Sequence, residues 1–291
     1  MNKFYGRLSL IALCFSLLSA AVMAQAPQEK TATIFGAKIH YIEAGDSANP
    51  TVVLLHGLGG SADNWAFNTP ALAAKYHVVA PDQIGFGKSD KPLISYRIGT
   101  YADFLDKFLS ELKIERATLV GNSLGGWIGA LYALKYPNKV EKLVLVDAAG
   151  FGPQKDFDYR TLQNLNPSTR EQVREVLNLV IYNKALITDD FIDNGITTRV
   201  SAGDGYTIQA LIESIKRGED FLDGKLKDLK KPTLIVWGKQ DGLTTLAEFG
   251  ERFKREIPGA ELIVYDQCGH IPMVEKAADF NAALLKFLEK K

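Results

Sequence analysis

Short, almost wholly apolar runs recur along this chain: Thr51–Leu55, His77–Ala80, Ala117–Val120, Leu143–Val146 and Thr233–Trp237. A short run without polar alternation suits a strand buried on both faces, which requires a layer of helices on each side. Helical patterns fill the intervals, at Tyr101–Leu112, Leu124–Tyr136, Leu246–Ile257 and Ala277–Leu288. Pro137 and Pro258 stop two of them, because proline has no amide to continue a helix. Thr31–Phe35 and Lys38–Glu43 around Gly36 read as an antiparallel opening hairpin, and Glu261–Tyr265 as the last strand. The predicted fold class is α/β: a three-layer sandwich with a mostly parallel central sheet.

The first residues stand apart from this pattern. Lys3 and Arg7 precede an apolar run from Leu8 to about Val22, and the small-residue exit ends Val22-Met23-Ala24, the three parts of a secretory signal peptide. The run is shorter than the ~20 residues of a comfortable membrane span. The expectation is a signal peptide over residues 1–24, cleaved after Ala24, with an uncleaved anchor as the minor alternative. A periplasmic or secreted bacterial protein without stable membrane insertion would result. Cleavage would remove Cys14 and leave Cys268 as a lone thiol, so no intramolecular disulfide is expected.

The composition is globular, with 46% hydrophobic and 23% charged residues, which excludes a disordered chain. Lys and Arg number 34 and Asp and Glu 34, so the basic excess that nucleic-acid binding needs is missing. A length of 291 residues can bury a large core without staples. Two parts of that core are expected, at 25–150 and 231–291. The stretch 151–230 between them has no convincing buried strand but several amphipathic helical segments. One begins at Ser168 with Glu171 three residues on, a capping-box arrangement, and carries Val173, Val176, Leu177, Val180 and Ile181. A helical cap inserted between the sixth and seventh strands is the expectation.

Gly121-Asn122-Ser123-Leu124-Gly125 falls where an apolar strand meets a helix. In that context the pattern is a nucleophile elbow: the turn admits only small residues beside Ser123 and presents its hydroxyl at the positive end of a helix. A serine needs a base to take its proton. Of the four histidines, His270 follows the last strand and returns to the edge that carries Ser123. His40 and His77 belong to strands, and His56, in His56-Gly57-Leu58-Gly59-Gly60, reads as a residue shaping its loop. Asp241, after the strand Thr233–Trp237, is the carboxylate expected to orient His270. Asp147 at the end of Leu143–Val146 is its competitor and reads as structural. The order Ser123, Asp241, His270 differs from the chymotrypsin and subtilisin orders. The backbone amides of Leu58 and Leu124 are the expected oxyanion donors.

Gly87-Lys88-Ser89 mimics the end of a phosphate-binding loop, but Asp82 stands where the first glycine belongs, so Asp82–Ser89 reads as a structural turn. No HExxH or paired CxxC spacing occurs, and neither a metal nor a cofactor is implied. Cys268 reads as a small buried hydrophobe.

Together these residues resemble the α/β-hydrolase superfamily, from about Thr31 to the C-terminus. Serine at 123 sets the chain apart from the branches with an aspartate nucleophile. The body is similar to the meta-cleavage-product hydrolases, carbon–carbon bond hydrolases, at Gly121–Gly126, Gly85–Asp90 and Ala185-Leu186-Ile187-Thr188-Asp189-Asp190. That branch usually has tryptophan after the catalytic histidine, where this chain has Ile271. It also usually carries a cap arginine binding the substrate carboxylate, at a place occupied here by Gly195, with Arg199 one helical turn on. The expected function is therefore a serine hydrolase of small-molecule carboxylic esters, acting through an acyl-enzyme. Carbon–carbon cleavage is the second reading, and a non-catalytic small-molecule binding protein on the same fold the third.

Overall fold

The computed structural model describes residues 26–153 and 160–290, apart from the side chains of residues 160 and 161, so the signal-peptide reading lies outside the described residues. Strands β1 (Gln28–Ile34), β2 (Ala37–Ala44), β3 (Thr51–Leu55), β4 (His77–Pro81), β5 (Ala117–Asn122), β6 (Val140–Val146), β7 (Thr233–Gly238) and β8 (Glu261–Tyr265) form one eight-stranded sheet. Its order is β1-β2-β4-β3-β5-β6-β7-β8. The first two strands pair antiparallel, β2 joins β4 antiparallel, and every pairing from β4 onward is parallel. The hairpin turns on Phe35 (φ 50°) and Gly36 (φ 83°). Consecutive left-handed residues match the twist of the flanking strands.

Side chains along the buried strands divide between two cores by alternation. Val53, Leu55, Leu119, Leu143, Leu145, Ile235 and Trp237 face one layer. Val52, Leu54, Val120, Val144, Val146, Leu234 and Val236 face the other. Helices α1 (Thr69–Ala73), α2 (Ile98–Glu111) and α3 (Leu124–Lys135) follow the early strands. The apolar faces of α2 and α3 pack on the first layer, whereas α1 packs on the second. This is the predicted three-layer sandwich.

Between β6 and β7 lie α4 (Arg160–Gln163), α5 (Arg170–Val180), α6 (Asp189–Ala202) and α7 (Gly205–Lys216). α5 is capped one residue later than expected. Thr169, not Ser168, is the N-cap, and Gln172, not Glu171, completes the box. The Thr169 hydroxyl accepts from Gln172 N–H at 3.3 Å, while the Gln172 side chain accepts from the amides of both Ser168 and Thr169. Val173, Ile181, Ile187 and Ile192 make a small separate core, against which Ile271 packs. Ile208, Leu211 and Ile212 of α7 instead join the main core and anchor this insertion to the sheet.

Three more helices follow: α8 (Glu251–Glu256), α9 (Pro272–Glu275) and α10 (Ala277–Leu288). The continuous helix expected over Leu246–Ile257 begins instead as a wide π turn, Leu246–Gly250, before tightening into α8. The loops after the parallel strands β3, β5, β6, β7 and β8 all leave the same edge of the sheet, where open α/β sheets bind ligands. No helix among the described residues is long and apolar enough to cross a membrane.

Candidate active site

Ser123 sits between β5 and α3 with φ 55° and ψ −117°, a conformation most side chains avoid. Its backbone is held by four hydrogen bonds. The Ser123 amide donates to Val146 O at 2.9 Å, and its carbonyl accepts from Gly126, Trp127 and Ala149. The flanking glycines are steric necessities. A methyl at Gly121 would lie 2.3 Å from the Gly125 carbonyl, and one at Gly125 would lie 2.2 Å from the Leu55 carbonyl oxygen. Ser123 itself is half-buried at the N-terminal end of α3, where the helix dipole favours negative charge.

Asp241 and His270, expected as partners, are in direct contact. His270 Nδ1 lies 2.8 Å from Asp241 Oδ2, with both residues buried. A carboxylate accepts, so Nδ1 carries the proton and the lone pair lies on Nε2. Nε2 is buried and has no hydrogen-bond partner among the described residues. Asp241 also accepts from the amides of Leu243 (2.7 Å) and Thr244 (3.2 Å) and from the Thr244 hydroxyl (2.7 Å). Burial alone would raise its pKa, but the His270 imidazole and these hydrogen bonds outweigh burial and hold the carboxyl below its ordinary value. Asn122 ties the base to the elbow, its amide donating to the His270 carbonyl at 3.0 Å and to that of Val146 at 3.2 Å.

Asp147 is fully buried behind this pair. Burial, and next the charge of Asp241, push its carboxyl well above the ordinary range, and the Gly238 amide at 2.9 Å offsets this only in part. Asp147, Asp241 and His270 bring their donor atoms within 4.8 Å of one another, a spacing that could hold a small ion. However, Nδ1 of His270 is already committed to Asp241.

The loop after β3 closes against the elbow. A methyl at Gly57 would lie 3.2 Å from Ser123 Cβ, so the residue before Leu58 abuts the serine. Leu124 opens α3, and its N–H has no carbonyl one turn back within the helix. His56 shapes this loop as expected. Its Nε2 accepts from Gln83 N–H at 3.0 Å, which leaves Nδ1–H to donate to the Gly57 carbonyl at 2.7 Å. Burial lowers its pKa and keeps it neutral. Asp82 is equally structural, accepting from the amides of Ala62 and Lys88 and pairing with His40. His77, on β4, bridges Thr51 of β3 and Glu43 of β2. Cys268 is buried, and burial raises its thiol pKa out of the reactive range.

The insertion is fastened to the acid and base loops through backbone. Gly242 N–H donates to Leu179 O at 3.1 Å, and His270 N–H to Val180 O at 2.7 Å. Glu275 accepts from the amides of Gly269 (2.8 Å) and Tyr182 (2.9 Å), completing a strap from 179 to 182. On the opposite side Arg199 reaches down to the β3 loop, where a methyl on Gly59 would lie 2.9 Å from its Nη1. Arg199 donates to the fully buried Asp204 at 2.7 Å and to Asn166 at 3.0 Å.

Sequence reasoning passed over Thr244, Asn122, Glu275 and the strap. The first had a readable trace, since Asp241-Gly-Leu-Thr244 is a local turn in which an aspartate accepts from amides two and three residues on. The strap left only Gly242 and Gly269, whose own significance depends on a segment far away in sequence.

A family model described as alpha/beta hydrolase fold matches residues 50–277. A 2-hydroxy-6-oxononadienedioate/2-hydroxy-6-oxononatrienedioate hydrolase of Paraburkholderia phymatum is 34% identical over 264 residues, covering 86% of this chain and 91% of that protein. Lipase 3 of a Moraxella species is 33% identical over 263 residues, covering 84% and 79% respectively. The crystal structure of a meta-cleavage product hydrolase from Pseudomonas fluorescens superposes with a TM-score of 0.79 at 28% identity, over 89% of this chain and 97% of that one.

Proposed function

The chain belongs to the α/β-hydrolase family, and on that premise we propose that it is a serine hydrolase cleaving small-molecule carboxylic esters through Ser123, His270 and Asp241. The observation that carries this reading is the buried Asp241–His270 hydrogen bond of 2.8 Å beside the strained elbow. Nε2 of His270 takes the Ser123 proton as the hydroxyl oxygen attacks the ester carbonyl. The Leu58 and Leu124 amides receive the developing oxyanion, and Asp241 stabilises the imidazolium. His270 then gives its proton to the departing alcohol. In the second half-reaction it takes a proton from water, which attacks the acyl-enzyme; collapse releases the acid and returns the proton to Ser123.

Carbon–carbon bond hydrolysis is the second reading, supported by the names of the relatives. Two features of this chain weigh against it. Ile271 stands beside His270 and packs into the small core of the insertion. The cation of Arg199 is already compensated by Asp204, so it is poorly placed to receive a second carboxylate. An uncharged ester fits that balance better than a dienoate.

Fluorophosphonate labelling and turnover of short aryl esters test the proposal together. Ser123→Ala should abolish labelling and lower kcat by about 10⁴-fold or more, since the triad acts as a unit. Labelling that survives this substitution would refute the role of Ser123. Faster turnover of a 2-hydroxy-6-oxo-dienoate than of any ester in the panel would reverse the order of the two readings.

A further inference from the structure

Asp147 is a buried acid for which the proposed mechanism has no use. One of its oxygens accepts from Gly238 N–H at 2.9 Å, and Oδ2 is buried with no hydrogen-bond partner among the described residues. Its donor atoms stand within 4.8 Å of both Asp241 and His270. Two carboxylates this close in a buried site cannot both be ionised, because neither is screened by water. The groups that face Asp147 are Asp241, His270, Cys268 and, further off, Glu275, and none is a permanent cation.

The partners decide which acid keeps the charge. Asp241 accepts from two amides, the Thr244 hydroxyl and the His270 imidazole. Asp147 accepts from a single amide. The negative charge therefore resides on Asp241 and the proton on Asp147. We propose that Asp147 is a positioning residue, kept as a neutral carboxylic acid whose O–H is shared with Asp241 and steadies that carboxylate from behind. Its orphaned oxygen then has a function: Oδ2 is the donor, and a partner appears once the acid is written with its proton. No bond to substrate is made or broken by Asp147, and no proton leaves the pair during turnover.

A second property follows from the same geometry. If Asp241 is made neutral, the like charge that suppresses ionisation of Asp147 disappears. Burial, the larger cause, still opposes a lone charge on Asp147, so its proton is given up only to the His270 imidazole within 4.8 Å, and Asp147 becomes a weaker substitute for Asp241 whenever that imidazole is cationic.

Infrared difference spectroscopy at neutral pH tests the proton directly and independently of any reaction. The spectrum of the wild-type chain minus that of Asp147→Asn should contain the C=O stretch of a protonated carboxyl group. If Asp147→Asn does not fold, the same band should be present in the wild-type chain and should move to lower frequency when that chain is labelled with ¹³C-aspartate. The activity arm rests on the ester-hydrolase reading. There Asp147→Leu, which leaves Asp241 without that donor, should lower kcat/KM by about tenfold or more, and Asp147→Asn, which retains a donor, should recover most of the loss with the acid limb of its pH profile within about 0.3 unit of the wild type. Asp241→Asn should remain about tenfold faster than the Asp147→Asn/Asp241→Asn double variant. Absence of the carboxyl band overturns the inference, as does a downward shift of the acid limb by about one unit, which would mean that a resident negative charge had been removed. Equal rates for the single and double Asp241 variants would also overturn it. Loss of the ester-hydrolase reading through Ser123→Ala leaves the infrared result standing.

Discussion

Gly269 lies between the base and the strap, and Gly269→Ala should disable the enzyme through backbone displacement. The added methyl would stand 2.2 Å from Val180 O, 2.9 Å from Glu275 Oε1 and 3.0 Å from Tyr182 N. Ordinary contact begins near about 3.5 Å, so the Val180 carbonyl must retreat by more than about 1 Å. The His270 N–H→Val180 O hydrogen bond, now 2.7 Å, would be lost. A buried group left unpaired costs about 1–3 kcal/mol and the overpacking a similar amount. The expected loss is therefore about 2–6 kcal/mol, a large share of the roughly 5–15 kcal/mol that stabilises a typical domain. Activity should suffer as well, because a ~1 Å misplacement of a reacting group can cost about 10²-fold. Urea unfolding and kcat/KM on a short aryl ester measure the two effects. Gly205→Ala is the control: its methyl would meet nothing nearer than Asn166 at 3.7 Å, and the site opens α7. That substitution should be neutral or stabilising by up to about 1 kcal/mol. If Gly269→Ala behaved like Gly205→Ala in both assays, the strap would not hold the base, and the reasoning would fail.

Two further outcomes follow from the buried acids. Thr244→Val removes a hydroxyl that donates to Asp241 at 2.7 Å and should cost about 1.5–3 kcal/mol in urea unfolding at pH 7. Because folding lowers the Asp241 pKa, its contribution is present above the unfolded value near ~3.9 and fades as pH falls through the folded value. The deficit of Thr244→Val should shrink over that acid range, and a deficit independent of pH would count against the assignment. Asp147 has the opposite sign. Its folded pKa is raised, so the folded chain keeps a proton that the unfolded chain releases above about pH 3.9, and stability falls with rising pH by up to about 1.4 kcal/mol per unit. Asp147→Asn should therefore gain on the wild type from about pH 4 upward, and parallel stability curves between pH 4 and 8 would contradict this.

The sheet was legible because its strands are buried on both faces and hence apolar throughout, as in His77–Pro81 and Thr233–Gly238. The elbow was legible for a related reason. A methyl on Gly121 or Gly125 would meet backbone within 2.3 Å, so the demand for small residues is written into the chain next to the serine it serves. The pairing of Asp241 with His270 could be anticipated from two loops leaving one sheet edge. Competition between Asp241 and Asp147 could also be anticipated, though not its form. Both acids occupy the same buried space, and their protonation depends on a donor count that only the folded chain reveals. The N-cap of α5 was misread by one residue because Ser168 and Thr169 are both good caps and both precede an amide- or carboxyl-bearing partner three residues on. Thr169 prevails once the Gln172 side chain bends back to the preceding amides.

Ile271 belongs at once to the layer built around Met273 and Phe280 and to the small core of Val173, Ile181, Ile187 and Ile192. It is thus a mortise between two independently packed bodies, with the proposed base at its immediate N-terminal side. A tryptophan placed there touches both bodies and is not an isolated change. Ile271 is half-buried, and a larger ring turned inward would press on the Val173–Ile192 core or on the second layer of the sheet, one residue from His270. A change at position 271 is therefore expected to shift how the insertion is seated on the sheet as well as the surroundings of His270.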